Sequence, residues 1–233
     1  MSSMYRRGLD LDPRNAGPAA KWLPLSMVAA TALFAVTGRS LGFGADNFHY
    51  DVSRLLAGEL WRLATYPFVA FSGLSLLLGA GIFYLFAVSF ERQWGTRDFL
   101  QFAAFSTIGA AVLAIPLRLG LNLFGLFNDP GVYAGPGPVI DAMLVALALT
   151  APDANIMFGF VLPMRAKTAV YLVIAIEVLF ALVDGTTRLS LTLGGLAMGY
   201  LLISGNWRPS RWGGFIKKKP PKRRGLYVVP PKN

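Results

Sequence analysis

The chain has 233 residues, of which 55% are hydrophobic and only 15% are charged, and its formal net charge is +10. Soluble globular domains carry about 25% charged residues, so this composition is typical of a membrane protein. The chain has no cysteine and one histidine, His49. Disulfides, thiolate catalysis and cysteine-based metal sites are therefore excluded together.

In chain order, a polar N-terminal arm (residues 1–21) is followed by six apolar runs, each of which predicts a membrane-spanning helix. The runs are Trp22–Gly38, Leu74–Phe90, Phe99–Pro116, Val132–Leu149, Thr168–Val183 and Leu189–Ser204. A spanning helix needs roughly 20 residues, so several of these helices are expected to be short or tilted. A glycine-broken apolar stretch, Leu119–Asp129, predicts an interfacial helix or a re-entrant segment.

The longest predicted external loop lies between the first two helices, at about residues 39–72. It contains His49, which we expect to be a loop or interfacial histidine, and an amphipathic stretch that ends in Trp61. Tryptophan and tyrosine favour the membrane–water interface, so Trp61 and Tyr66 predict a segment that lies among the lipid headgroups.

Six spanning helices leave both termini on one side, and most of the 22 Lys and Arg residues lie on that side. The positive-inside rule then predicts cytoplasmic termini. Compactness and charge bias together favour a bacterial inner membrane, with an organellar membrane as the alternative.

The basic, proline-rich tail (residues 205–233) cannot bury a core and is expected to bind anionic lipid headgroups, with a protein partner as the alternative. Its sparse aromatic residues argue against nucleic acid. The residues expected to contact lipid are Lys217, Lys218, Lys219, Lys222, Arg223 and Arg224.

Four motifs appear in a fixed order within the apolar region. Trp61-Arg62 lies in the first loop, and Glu91-Arg92-Gln93-Trp94-Gly95 closes the second run. Gly135-Pro136-Gly137-Pro138 opens the fourth run, and Thr192-Leu193-Gly194-Gly195 with Gly199 lies in the sixth. In this order the motifs resemble those of the rhomboid superfamily, which includes the rhomboid proteases and the Derlins. The resemblance implies an all-α bundle of six transmembrane helices over residues 22–204.

The chain departs from that family at every catalytic position. The resemblance places the nucleophilic serine on Gly137 and the general-base histidine on Thr192. The groups that stabilise the oxyanion fall near Gly79 and Ser75. A serine nucleophile is weak without a base, and no lysine lies within a predicted span to replace the histidine. We therefore expect no enzymatic activity, no cofactor and no metal.

Small residues at these positions keep a physical role without chemistry. Gly195 and Gly199 lie one turn apart, so they predict tight packing of the sixth helix on the fourth, where Gly135 and Gly137 begin. Together these four glycines would line the helix-packing groove.

Two carboxylates fall within apolar runs and are candidate contacts to a partner. Asp141 lies near the start of the fourth helix, where the helix dipole favours an anion. Glu177 lies mid-run in the fifth helix and has no such explanation.

Three functions remain open at this point. The first is a non-catalytic rhomboid-like protein that binds transmembrane segments of client proteins. The second is a structural or assembly subunit of a larger membrane complex. The third is a small transporter that uses Asp141 and Glu177.

Overall fold

The computed structural model of the chain describes residues 16–41, 44–123, 131–152, 155–158, 162–184 and 186–205. Most of them are helical. The long helices are α1 (Pro18–Leu41), α4 (Gly73–Trp94), α5 (Thr96–Leu123), α6 (Gly137–Thr150), α7 (Ala166–Asp184) and α8 (Thr186–Ser204). Two short helices, α2 (Val52–Leu56) and α3 (Arg62–Thr65), lie in the loop between α1 and α4. We call residues 44–72 loop 1. The predicted basic tail lies almost entirely outside the described residues.

Each long helix corresponds to one of the six apolar runs. Within the described residues, three helical segments are long and apolar enough to cross a membrane: Pro18–Gly38, Gly73–Trp94 and Thr96–Leu121. The fourth apolar segment, α6, has 14 residues, and α7 and α8 have 19 each. The fold therefore contains three candidate spans and shorter apolar helices beside them.

The central helix is α6, which packs on α4, α5, α7 and α8. Residues on all sides of it are buried, including the consecutive Met143, Leu144, Val145 and Ala146. A helix that is apolar all round belongs inside a bundle or a membrane, which explains why α6 has no polar face.

The predicted start of the fourth helix at Val132 is wrong. Val132–Tyr133 instead form a short strand, β2, which pairs antiparallel with β1 (Tyr50–Asp51) of loop 1. Helix α6 begins at Gly137, after Pro136, because a proline is tolerated where the first backbone N–H groups have no partner within the helix. The pairing of β1 with β2 joins loop 1 to the segment that leads into α6.

Two further predicted boundaries differ from the structure. Helix α5 does not end at Pro116 but continues to Leu123, so the first part of the predicted re-entrant segment is ordinary helix. Residues 124–130 lie outside the described residues. Helix α1 begins at Pro18, which places the end of the predicted polar arm inside a helix.

The prediction of an all-helical chain also missed a β-hairpin between α6 and α7. Its strands, β3 (Asn155–Phe158) and β4 (Leu162–Arg165), pair antiparallel with Phe158 opposite Leu162. The strands lie between the fourth and fifth predicted apolar runs, in a segment for which no structure was predicted.

Candidate functional site

Helices α6 and α8 are in backbone contact at the positions of two glycines. A Cβ added to Gly195 would collide with the carbonyl oxygen of Pro138, and one added to Gly199 would lie 2.5 Å from the carbonyl oxygen of Ala142. Gly195 and Gly199 are four residues apart, as are their contacts Pro138 and Ala142, and the order along the chain is the same in both helices. The two helices are therefore parallel here. Helix α8 also meets α5, because a Cβ on Gly194 would lie 2.6 Å from the carbonyl oxygen of Ala110. These glycines allow one helix to pack against two others at once.

Position 137, where the family resemblance places a serine, has room for a side chain only if the Tyr133 side chain shifts. The hydroxyl group of Tyr133 lies where the Cβ of a residue at 137 would stand. The next nearest atom, the ring Cζ of Tyr133, would be 3.6 Å from that Cβ, an ordinary van der Waals distance. The conflict therefore comes from the tyrosine hydroxyl alone. Gly135, two residues earlier, has φ = 122° and donates its N–H to the carbonyl oxygen of Tyr66 at 2.9 Å.

The other three positions of the degenerate site lie in different surroundings. Thr192 is buried in α8, one turn before Gly195 and so at the level of the turn that opens α6. Gly79 in α4 faces that turn, because a Cβ there would lie 3.1 Å from the Cδ of Pro136. Ser75 is exposed at the start of α4, where it forms a reciprocal capping pair with Ser72.

Three tyrosines fill the space beside this turn. The ring of Tyr66 lies 6.0 Å from that of Tyr50 and 6.1 Å from that of Tyr133, both edge-on. The hydroxyl of Tyr66 donates to the carbonyl oxygen of Thr107, and that of Tyr50 donates to the carbonyl oxygen of Ala111, each at 3.2 Å. These carbonyls lie one turn apart on α5, so the tyrosines fasten loop 1 to that helix. We call Tyr50, Tyr66 and Tyr133 the tyrosine cluster.

The tyrosines of loop 1 act as neutral hydrogen-bond donors. Burial raises the pKa of Tyr66 well above its ordinary value, and Tyr133, Tyr50 and Asp141 raise it further. Burial also raises the pKa of Tyr50, with a smaller opposing effect from Arg118. Neither phenol can lose its proton near neutral pH, so neither can act as a general base there.

Asp141 lies near the start of α6, as predicted, where it is buried, and its charge raises the pKa of Tyr66. The structure therefore places it in the core beside the tyrosine cluster. Glu177 belongs to α7, but its side chain lies outside the described residues. Among the described residues, no group of three or more His, Asp and Glu side chains could hold a metal ion.

Loop 1 is built around Arg62, a buried cation. Its Nε donates to Glu59 Oε2 at 2.6 Å, and its Nη1 donates to the carbonyl oxygens of Asp46 and His49 at 2.9 and 2.8 Å. Trp61 points outward, 53% exposed, and its Nε1 donates to the carbonyl oxygen of Asn47. Trp61 is thus exposed on the outside of loop 1, whereas Arg62 is buried within it.

One prediction for loop 1 needs correction, whereas the one for His49 agrees with its place in the loop. Tyr66, expected at the headgroup level, is fully buried, because it belongs to the tyrosine cluster. His49, expected as a loop or interfacial histidine, is in the loop but buried, with 8% of its surface exposed.

The sequence also gave no indication of the role of Glu91 at the far end of α4. This buried carboxylate accepts hydrogen bonds from the N–H groups of Ala19 and Ala20, at 3.0 and 2.7 Å, and from the hydroxyl of Thr96 at 2.7 Å. An anion at a helix N-terminus is stabilised by the free N–H groups and the dipole. A side chain on Gly17 would collide with the same carboxylate. Glu91 therefore joins the start of α1 to the junction of α4 and α5.

Comparison with known proteins agrees with a membrane-embedded bundle. No curated protein matches the chain. Residues 21–204 match the model of a family described as "Eukaryotic integral membrane protein (DUF1751)". This description contradicts the predicted bacterial inner membrane, while the prediction of an integral membrane protein is confirmed. The match covers the whole helical region from α1 to α8, so the chain belongs to this family of eukaryotic integral membrane proteins.

Proposed function

We propose that this chain is a catalytically inactive, rhomboid-like membrane protein that binds the transmembrane segments of other membrane proteins. The observation that carries this proposal is the closed space at position 137, where the hydroxyl of Tyr133 occupies the place of a side chain. A nucleophile could not be added there without moving the tyrosine. Thr192, at the position of the general base, cannot accept a proton near neutral pH, and the only histidine of the chain lies in loop 1.

In this proposal all six long helices cross the membrane and both termini are cytoplasmic. The short length of α6 is compatible with this, because it is surrounded by α4, α5, α7 and α8. A helix buried inside a bundle does not have to match the lipid thickness by itself. Reporter fusions at the loops before α4, α5 and α7 test the topology.

The binding face in this proposal is the outward side of α4. Leu74, Leu77 and Leu78 are all more than half exposed, and Gly81 follows one turn later with no atom within 4 Å of an added Cβ. Because Gly81 has no side chain, it leaves a gap beside these leucines, which a bulky side chain of a bound helix could fill. Helix α7, which also packs on α6, would form the other wall of the binding site.

The experiment is site-specific photocrosslinking in native eukaryotic membranes. A photoreactive residue at Leu78 should give adducts with particular single-pass proteins, and a purified transmembrane peptide from each should bind the chain in liposomes. The matched control is Val112 on α5, which is 46% exposed and lies on a different helix. Equal adducts at both positions would show only random collisions in the lipid. Cleavage of a bound segment that depends on this chain would refute inactivity.

A further inference from the structure

The only histidine of the chain is buried within loop 1, where it has no hydrogen-bond partner for one ring nitrogen. His49 is 8% exposed, and its Nδ1 has no partner within the described part of the chain. The nearest acidic oxygen, Oδ1 of Asp46, is 3.9 Å away. That distance is too long for a hydrogen bond, so the neutral ring is held by packing. Its ring centroid lies 5.9 Å from that of Phe71.

A permanent positive charge is fixed beside this ring. The guanidinium of Arg62 is fully buried and donates to the carbonyl oxygen of His49 itself. Arginine does not lose its proton in proteins, so this charge is present at every pH of interest. Glu59 pairs with Arg62 at 2.6 Å and neutralises part of the charge.

Asp46, Asp51 and a backbone hydrogen bond with Ala45 raise the pKa of His49, each by less than burial or Arg62 lowers it. The side chain of Asp46 is 93% exposed, so water and salt screen its attraction for an imidazolium. Asp51 contributes attraction too, but its carboxylate already accepts from the N–H groups of Ser53 and Arg54. Elsewhere the loop meets aromatic residues, since Phe34 of α1 stacks on Phe48 at 4.1 Å.

Burial, followed by the charge of Arg62, lowers the pKa of His49 below its ordinary value of 6.5. A base whose pKa is lowered by folding stabilises the folded form above its unfolded pKa. That contribution is lost as the pH falls below 6.5 toward the lowered value. The closed form of loop 1 is thus favoured at neutral pH and weakened in mild acid.

We propose that loop 1 is a pH-responsive cover, which His49 releases when it takes up a proton beside the buried Arg62. The imidazolium leaves its position between Arg62 and Phe71 for water and carries the segment around residues 46–51 with it. Phe71 lies just before α4, so release of this contact frees the segment that leads into that helix. This consequence for binding rests on the proposed function, whereas opening of the loop does not.

The test uses the full chain in lipid nanodiscs and relies on the absence of natural cysteine. A single cysteine at Leu55 of α2, 5% exposed and packed with Tyr50, reports opening by its reaction with a thiol reagent. The matched control is Leu56→Cys on the same helix, 68% exposed, which corrects for thiol ionisation. Val52→Cys, also buried, replaces Leu55→Cys if that variant fails to fold.

Between pH 7.5 and 5.5, the ratio of buried to exposed labelling should rise, by up to about tenfold for each unit by which folding lowers the pKa of His49. His49→Gln should abolish this rise, and His49→Phe is the second variant if the first misfolds. Asp46→Asn should enlarge the rise and extend it to lower pH, because loss of this attracting negative charge lowers the pKa of His49 in the closed form further.

A flat ratio in the natural background, or an equal rise in both His49 variants, would overturn the proposal. Opening that begins only below about pH 5 would overturn it too, because a freed imidazole takes up its proton near pH 6.5. Because labelling needs no client, failure of the binding proposal would leave this result unchanged.

Discussion

Replacement of Glu91 by alanine should destabilise the chain more than most single substitutions. The change leaves three donors without their acceptor: two buried N–H groups at the start of α1 and the part-buried hydroxyl of Thr96. Each unsatisfied buried donor costs about 1–3 kcal/mol, so the loss should be roughly 3–5 kcal/mol once partial relaxation is allowed. For a chain of this size, that corresponds to a fall of roughly 10 °C in the midpoint of thermal unfolding.

The assay is thermal unfolding in mild detergent, followed by far-ultraviolet circular dichroism and by recovery of the monodisperse protein. Glu91→Gln is the isosteric comparison, and it should lose about half as much because its amide keeps one acceptor oxygen but no charge. Gln93→Ala, at an exposed position of the same helix, should change stability by less than about 0.5 kcal/mol. If Glu91→Ala stays within about 1 kcal/mol of the natural chain, the carboxylate does not join α1 to α4 as described.

Three further outcomes are expected in the same assay. Gly195→Ala should destabilise the chain by more than about 1 kcal/mol because its Cβ meets the backbone of α6, whereas Gly81→Ala, in open space, should stabilise α4 by about 0.5–1 kcal/mol. Tyr66→Phe should cost about 1 kcal/mol through the lost bond to α5, and no loss would show that this bond is not made. Gly137→Ala should be destabilising alone but much less so together with Tyr133→Phe, with a coupling of about 0.5–3 kcal/mol; simple additivity would contradict the steric conflict.

Local patterns in the sequence were enough to locate the six long helices, because each run of apolar residues is continuous and most of its length lies within one helix. They were not enough for the contacts between distant segments. Nothing near Tyr50 indicates that it pairs with Tyr133, since the strand pairing joins loop 1 to a segment after α5. The start of α6 was misplaced for the same reason: Val132 is apolar enough for a helix, and only its partner strand makes it β-structure.

In the candidate site, too, local features could be predicted from the sequence and contacts between distant segments could not. The glycines of α8 could be recognised from their spacing, because a four-residue step on one helix face is a local property. The roles of Glu91 and Arg62 could not, although both lie in recognisable motifs. A carboxylate that caps another helix, or a guanidinium that binds carbonyls 13 and 16 residues earlier, depends on how the chain returns to itself. The signal available in the sequence was a charged residue within a short motif. Such a charge indicates a structural contact as readily as a catalytic one.

The distinction between a lost enzyme and a binding fold depends on Tyr133. If only the reactive groups had been lost, position 137 would retain space for a serine side chain, and restoring serine and histidine would be sterically free. Instead the hydroxyl of Tyr133 occupies that space, and Tyr66, which packs against its ring, fastens loop 1 to α5. Reintroducing a nucleophile therefore disturbs contacts on which the packing of loop 1 depends. A tyrosine that restricts position 137 while it supports the surrounding fold agrees with the proposed binding role, and the coupling between Gly137→Ala and Tyr133→Phe measures how strongly it restricts that position.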